Sequence, residues 1–171
     1  MYLIKFMLLT VLFSTSSIIG ILMSKKFSNR VKVLKDLKNA LNIFEVKINF
    51  SFETIPEIFK EISNKIEGTA GKIFSQTLKY MNEDNLIAGE AWEKAVDANG
   101  YSLKKEDINS LKTLGKLLGR TDVEGQITQI ELVSSFLEKQ INDAVESKNK
   151  NEKMYQKLGV IIGLVLVIVL I

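Results

Sequence analysis

From Leu158 to Ile171 the chain carries no polar side chain. A run of that purity leaves few folding options. As a helix its fourteen residues rise about 21 Å, short of a hydrocarbon core of about 30 Å. Adding Met154 and Tyr155 and letting Lys157 snorkel extends the span to about 27 Å. Backbone groups inside lipid have no water to bond, so the segment is expected to be a membrane-spanning helix. A buried core helix is the alternative, but such a helix rarely closes a chain with no polar face. Everything upstream then reads as a domain held at a membrane surface.

A second apolar run, Phe6–Met23, is also free of charge, although Thr10, Ser14, Thr15, Ser16 and Ser17 interrupt it. Small hydroxyls are tolerated in a membrane helix because they bond back to the backbone or to a neighbouring helix. A cleaved signal peptide is the competing reading. Against it, only Lys5 precedes the run and no A-x-A-like site follows. Lys25, Lys26, Arg30, Lys32, Lys35 and Lys38 follow this run, and Lys148, Lys150, Lys153 and Lys157 precede the C-terminal one. By the positive-inside rule both basic flanks are cytoplasmic. The expected organisation is a membrane helix over 1–24, a cytoplasmic helical bundle over 25–157 and a membrane helix over 158–171.

Composition removes most chemistry. The chain of 171 residues has no Cys and no His. That excludes disulfide frameworks, thiol nucleophiles, Ser-His-Asp triads and the usual zinc sites. Carboxylate pairs remain, but Glu83/Asp84 and Glu106/Asp107 are adjacent and point about 100° apart on a helix. They suit helix N-termini and wet turns instead. The net charge of +3 is too small to imply nucleic acid. No catalytic, cofactor-binding or metal-binding residue is assigned, and no small-molecule substrate is expected.

With one Pro and ten Gly, long helices are favoured. Phe27, Val31, Leu34, Leu37, Leu41, Phe44, Ile48 and Phe52 recur at helical spacing, so the first helix is expected to run straight out of the membrane. Thr54-Ile55-Pro56-Glu57 is a capping box with Pro in the first turn, opening a helix to about Ile66. Gly68 and Gly71 bracket a connection to a helix over 71–81, and Asn82–Asn85 is a polar turn. A helix over 88–97 carries Trp92, read as a core anchor whose indole N–H finds a partner, or as an exposed binding anchor. Asn99-Gly100 ends it. A fifth helix is expected over 104–118. Gly115 inside it costs about 1 kcal/mol, which close packing against a neighbour would offset. Gly119 is the expected C′ residue. A second capping box, Thr121-Asp122-Val123-Glu124, starts a long sixth helix, which must lie antiparallel to the fifth. Its stripe is Ile127, Ile130, Val133, Leu137, Ile141 and Ala144. Glu146–Lys153 has no apolar residue and reads as a solvated stalk. The fold class is therefore all-α: a bundle of about six helices flanked by two membrane helices.

Three segments carry a family resemblance. They are Ala40-Leu41 with Phe44-Glu45-Val46-Lys47-Ile48 and Thr54-Ile55-Pro56-Glu57; Gly89-Glu90-Ala91-Trp92-Glu93-Lys94-Ala95; and Leu114-Gly115-Lys116-Leu117-Leu118-Gly119-Arg120-Thr121-Asp122 with Gln126, leading to Leu158-Gly159-Val160-Ile161-Ile162-Gly163. Together with the apolar ends, in this order, they resemble the stage III sporulation protein AB family of endospore-forming bacteria. Where that pattern more commonly has Ser before the Asp, this chain has Thr121, which keeps the capping hydroxyl. The resemblance implies a role in a complex linking mother cell and forespore, similar to specialised secretion systems. It implies a cytoplasmic domain like that of the type II secretion platform protein. The implied partners are a cytoplasmic secretion-type ATPase and membrane proteins of the same complex, and the implied location is the mother-cell membrane around the forespore.

Two functions of different class follow. One is a non-enzymatic platform coupling the ATPase to a membrane channel. The other is a membrane-anchored regulatory or scaffold protein without a transport role; the expected topology leaves little chain outside for sensing. Under the platform reading the turn Gly119–Asp122 is expected to stand farthest from the bilayer, since the sixth helix runs roughly 50 Å back to the membrane. Arg120 and Asp122 are thus the candidate partner-binding residues. Their structural alternative is a solvated or paired Arg120 and a capping Asp122. The topology is directly testable. A reporter active only outside the cytoplasm should be active when fused after Ile171 and silent at Gly100; the opposite pattern overturns the assignment.

Overall fold

The computed structural model describes residues 2–51, 53–116 and 118–170. The expectations attached to Phe52, Leu117 and Ile171 lie outside the described residues. The fold is all-α, with six α-helices and no strand among the described residues. They are α1 (Tyr2–Phe50), α2 (Ile55–Lys65), α3 (Gly68–Glu83), α4 (Ala88–Asn99), α5 (Lys105–Gly115) and α6 (Val123–Leu170), with one 3₁₀ turn at Gly100–Ser102. The chain forms two compact units: residues up to Val31 together with those from Asp143 onward, and residues Lys32–Asn142.

The first unit is an antiparallel pair made by the start of α1 and the end of α6. Both helices are long and apolar enough to cross a membrane. Side chains such as Ile18, Leu22, Ile161 and Val165 are more than half exposed. The seam between the helices is made of small residues. A Cβ on Gly20 would stand 2.8 Å from the Gly159 Cα and 2.8 Å from the Tyr155 carbonyl oxygen. Backbones can approach that closely only where side chains are absent or tiny. Ser16 donates its hydroxyl to the Gly159 carbonyl at 2.8 Å, and Gln156 Nε2 donates to Ser24 Oγ at 3.2 Å. One turn further on, Phe27 stacks on Tyr155 with centroids 5.5 Å apart. The other hydroxyls turn inward on their own helix: Thr10 bonds the Met7 carbonyl, Ser14 that of Thr10, Thr15 that of Leu12 and Ser17 that of Phe13. No hydroxyl in the run has to meet hydrocarbon unsatisfied.

The second unit is a helical bundle around an aromatic cluster. Phe44 of α1, Phe59 of α2, Phe74 of α3 and Trp92 of α4 are all fully buried. Phe59 meets Phe44 at 5.2 Å and Phe74 at 5.0 Å, both edge-on, and Phe74 meets Trp92 at 5.0 Å. Edge-to-face contact sets the positive ring edge against a negative face, so one cluster ties four helices together. Leu34, Leu37, Leu41, Leu111, Leu114, Ile130, Val133 and Leu137 complete the core. Helices α5 and α6 run antiparallel, and amide side chains join them. Gln129 Nε2 donates to the Thr113 carbonyl at 2.8 Å, and Gln140 Nε2 to Ser110 Oγ at 2.7 Å.

Several helix ends differ from the sequence reading. Helix α3 begins at Gly68, which takes positive φ, so Gly71 lies inside the helix and not in the connection. Helix α4 extends to Asn99, whose side chain bonds back to the Ala95 carbonyl at 2.9 Å. Helix α5 ends at Gly115 and not at Leu118. Leu118 is buried all the same, from a turn that follows the helix. The cap of α6 is Asp122, not Thr121: its Oδ1 accepts the Gly125 N–H at 3.0 Å, while the Thr121 hydroxyl donates to the Asp122 carbonyl. Two adjacent residues compete for one cap, and the carboxylate holds it.

The helix seam yields a clear expectation. With cysteines placed at Ser24 and Gln156 in the otherwise Cys-free chain, a short bifunctional thiol reagent should join α1 to α6 in micelles. Adding Gly20→Leu should abolish most of that product. Equal yields with Gly20 and Leu would show that the backbones do not meet there.

Candidate functional site

Parts of the three family-like segments meet in the second unit at the turn between α5 and α6, whereas Leu158–Gly163 belongs to the first unit. The convergence starts from a crossing of backbones. A Cβ on Gly89 would sit 2.1 Å from the Gly115 carbonyl oxygen, and one on Gly115 would sit 2.9 Å from the Gly89 oxygen and 3.1 Å from Trp92 Cδ1. Neither residue can carry a side chain without moving one helix off the other. Beside the crossing, the buried Trp92 indole N–H donates to the Leu111 carbonyl at 2.7 Å. That bond removes the cost of burying an unpaired donor and fixes α4 against α5. Gly115 is thus the last residue of α5, packed on α4 at Gly89.

Beyond Gly115 the chain turns sharply. Gly119 has φ of +72°, a conformation that costs an L side chain and not glycine. A Cβ on Gly119 would stand 3.7 Å from the Ala88 Cβ and 3.8 Å from Ile55 Cδ1. All three segments therefore contribute here: Ile55 from the first, Gly89 and its neighbours from the second, Gly115 and Gly119 from the third. Ile55 is set by the start of α2. There the Thr54 N–H donates to Glu57 Oε2 at 2.7 Å and the Thr54 hydroxyl donates to the same oxygen at 2.8 Å. These donors hold the Glu57 carboxyl below its ordinary range, the backbone N–H first. The Thr54–Glu57 capping pair expected from the sequence thus opens α2, with the Thr54 hydroxyl also turned to the carboxylate. Lys47 secures the preceding end of α1 by donating to Glu53 at 2.8 Å and pairing with Glu61 of α2 at 2.7 Å. Glu53 first, then Glu61, raises the Lys47 pKa; Lys47, then Lys65, lowers that of Glu61.

The charged residues of the turn divide. Asp122 is exposed but committed to the α6 cap. Arg120 is also exposed, and its Nη2 lies 3.8 Å from Glu90 Oε1. An ion pair of that length at the surface contributes little to stability and leaves most of the guanidinium fork open. Glu90 was not singled out in the sequence as a charge partner, since the two residues lie thirty positions apart with no periodic relation. Gln126 completes the turn, donating to the Thr121 carbonyl at 3.2 Å. What the surface offers is an exposed Arg beside an acid, on a loop tied down by two backbone contacts and a cap. It is suited to recognising a partner carboxylate.

This geometry ranks three substitutions. Gly89→Ala should destabilise the chain most, Gly115→Leu by about 1–3 kcal/mol, and Gly119→Asn least, since Asn tolerates the left-handed region. Thermal melts of the full chain in micelles measure the order. Equal losses at all three would mean that the crossing is not close.

Comparison with known proteins gives a consistent result. A family model for stage III sporulation protein AB matches residues 5–171. Stage III sporulation protein AB of Bacillus subtilis (strain 168) is 29% identical over 153 residues, covering 88% of this chain and 90% of that protein. A solved structure of stage III sporulation protein AB (SpoIIIAB) superposes with a TM-score of 0.65 at 24% identity, over 71% of this chain and 97% of the solved one. That likeness shows the helical fold.

Proposed function

The chain belongs to the stage III sporulation protein AB family, and on that premise we propose that it is a non-enzymatic membrane platform of a sporulation-specific, secretion-like complex. In this reading residues 1–24 and 158–171 span the mother-cell membrane around the forespore, and residues 25–157 lie in the mother-cell cytoplasm. The bundle receives a cytoplasmic secretion-type ATPase and couples it to a membrane channel assembled with other proteins of the complex.

The observation that carries the proposal is that Ile55, Gly89, Gly115 and Gly119, drawn from all three family-like segments, meet at one exposed turn. Here Gly89, Gly115 and Gly119 shape a single loop whose outward group is Arg120. Arg120, whose guanidinium fork is left mostly open by its loose pairing with Glu90, makes a bidentate contact with a carboxylate of the ATPase. Lysine cannot reproduce a two-pronged contact, so charge alone does not suffice.

Affinity capture of the full chain from sporulating cells tests this reading. Wild type should recover an ATPase and membrane partners. Arg120→Glu should lose the ATPase while keeping the wild-type melting temperature, and Arg120→Lys should recover clearly less of it than wild type. Recovery of a kinase or protease with no ATPase would favour the regulatory reading.

A further inference from the structure

The contacts at the polar end of the helix pair fix a register that has a consequence for charge. Ser24 meets Gln156 and Phe27 meets Tyr155. With that pairing Lys157 lies level with residue 23, Lys153 level with residue 27, and Lys25 and Lys26 fall between them. All four are within about 6 Å along the axis, one helical turn. All four are exposed, and none makes an ion pair among the described residues. Residues 22–28 and 153–158 contain no Asp or Glu. The nearest acid, Glu152, pairs with Lys148 at 3.8 Å. The result is a ring of four like charges with no internal counter-ion.

Directly beneath the ring lies a groove of about 410 Å³ between the two helices, lined by Ile19, Met23, Tyr155, Leu158 and Ile162 among others. Lys26 follows Met23 by three residues on the same helix face and so stands at the mouth of the groove. Tyr155, with an apolar ring and a polar tip, lies at the same level, as aromatic residues do at a membrane boundary.

We propose that this end of the helix pair is a binding site for an anionic phospholipid. Its headgroup phosphate lies among Lys25, Lys26, Lys153 and Lys157, and one acyl chain lies in the groove below. The proposal rests on the membrane-spanning reading of the two helices. Lipid, in preference to a protein segment, is the occupant because the site joins a purely cationic ring to an apolar channel at one level. That pairing complements the anionic headgroup and apolar chain of a phospholipid. Opposing charge near the surface supplies the headgroup preference.

The test uses the full chain reconstituted into phosphatidylcholine bilayers with phosphatidylglycerol as the minor component. The protein is then extracted in mild nonionic detergent and its bound lipid quantified. Wild type should retain phosphatidylglycerol at about tenfold over its share of the bilayer, an effect of the size expected for one or two lysine–phosphate contacts. The Lys25, Lys26, Lys153 and Lys157→Gln variant should return to the bilayer ratio. A control with Lys60, Lys72, Lys105 and Lys139→Gln should behave as wild type. Ile19→Trp, which fills the groove without changing charge, should lower retention. Wild type at the bilayer ratio, or equal loss in the control, overturns the proposal. So does inorganic phosphate that displaces the lipid, or a dimer that excludes it. Resistance to an alkaline wash separates the two levels: a resistant protein without enrichment refutes this site alone, and a protein that washes off refutes the spanning reading beneath it.

Discussion

The close crossing of Gly89 and Gly115 is the contact on which the shape of the second unit's exposed turn depends. Helices usually pack 8–10 Å apart, with side chains filling the space between axes. Here a carbonyl occupies the space a Cβ would need, so α4 and α5 meet backbone to backbone. Three features follow from that approach. Trp92 can reach the Leu111 carbonyl with its indole N–H. Helix α5 stops at Gly115, and the chain reverses through Gly119 within a few residues. Arg120 then comes within ion-pair reach of Glu90 on α4. A larger residue at either glycine acts on all three at once, because they share one geometric cause.

The first unit meets a related constraint with different means. Its helices are long and apolar enough to cross a membrane and present apolar side chains outward, and in a lipid phase the hydrophobic effect would give them no reason to associate. Small residues and a few polar bonds supply the reason. Gly20 and Gly159 allow close contact, Ser16 donates across the seam, and Ser24 accepts from Gln156. In the second unit the glycine contact adds to a large buried aromatic cluster. In the first it is joined by the Phe27–Tyr155 stack and a few hydrogen bonds.

Much of the fold was legible in the sequence because apolar periodicity reports burial directly. The stripe from Val31 to Phe44, the inward residues of α2 and α4, and Ile130, Val133 and Leu137 are all buried. Periodicity reports burial and not hydrogen bonding, so the reading carried α5 on to Leu118, which is buried from a turn. Capping chemistry was legible as a position but not as a choice: Thr121 and Asp122 both qualify, and only the geometry selects the carboxylate. Tertiary partners were the least legible. Gly115 signals a close neighbour through its helix cost, yet nothing local identifies Gly89. Gln129 and Gln140 look like ordinary surface residues until α5 lies beside them. Arg120 is visible as a charge in a turn, and its partner Glu90 is not.

The central claim is that the Gly89–Gly115 crossing holds the α5–α6 turn in its observed form. Amide hydrogen exchange on the full chain in micelles, comparing wild type with Gly89→Ala, tests it most directly. The account predicts faster exchange in the turn from Lys116 to Gln126 and at the end of α5, with protection retained in α1, α2 and α3. Unchanged exchange in the turn, or a uniform loss across the whole bundle, would contradict it.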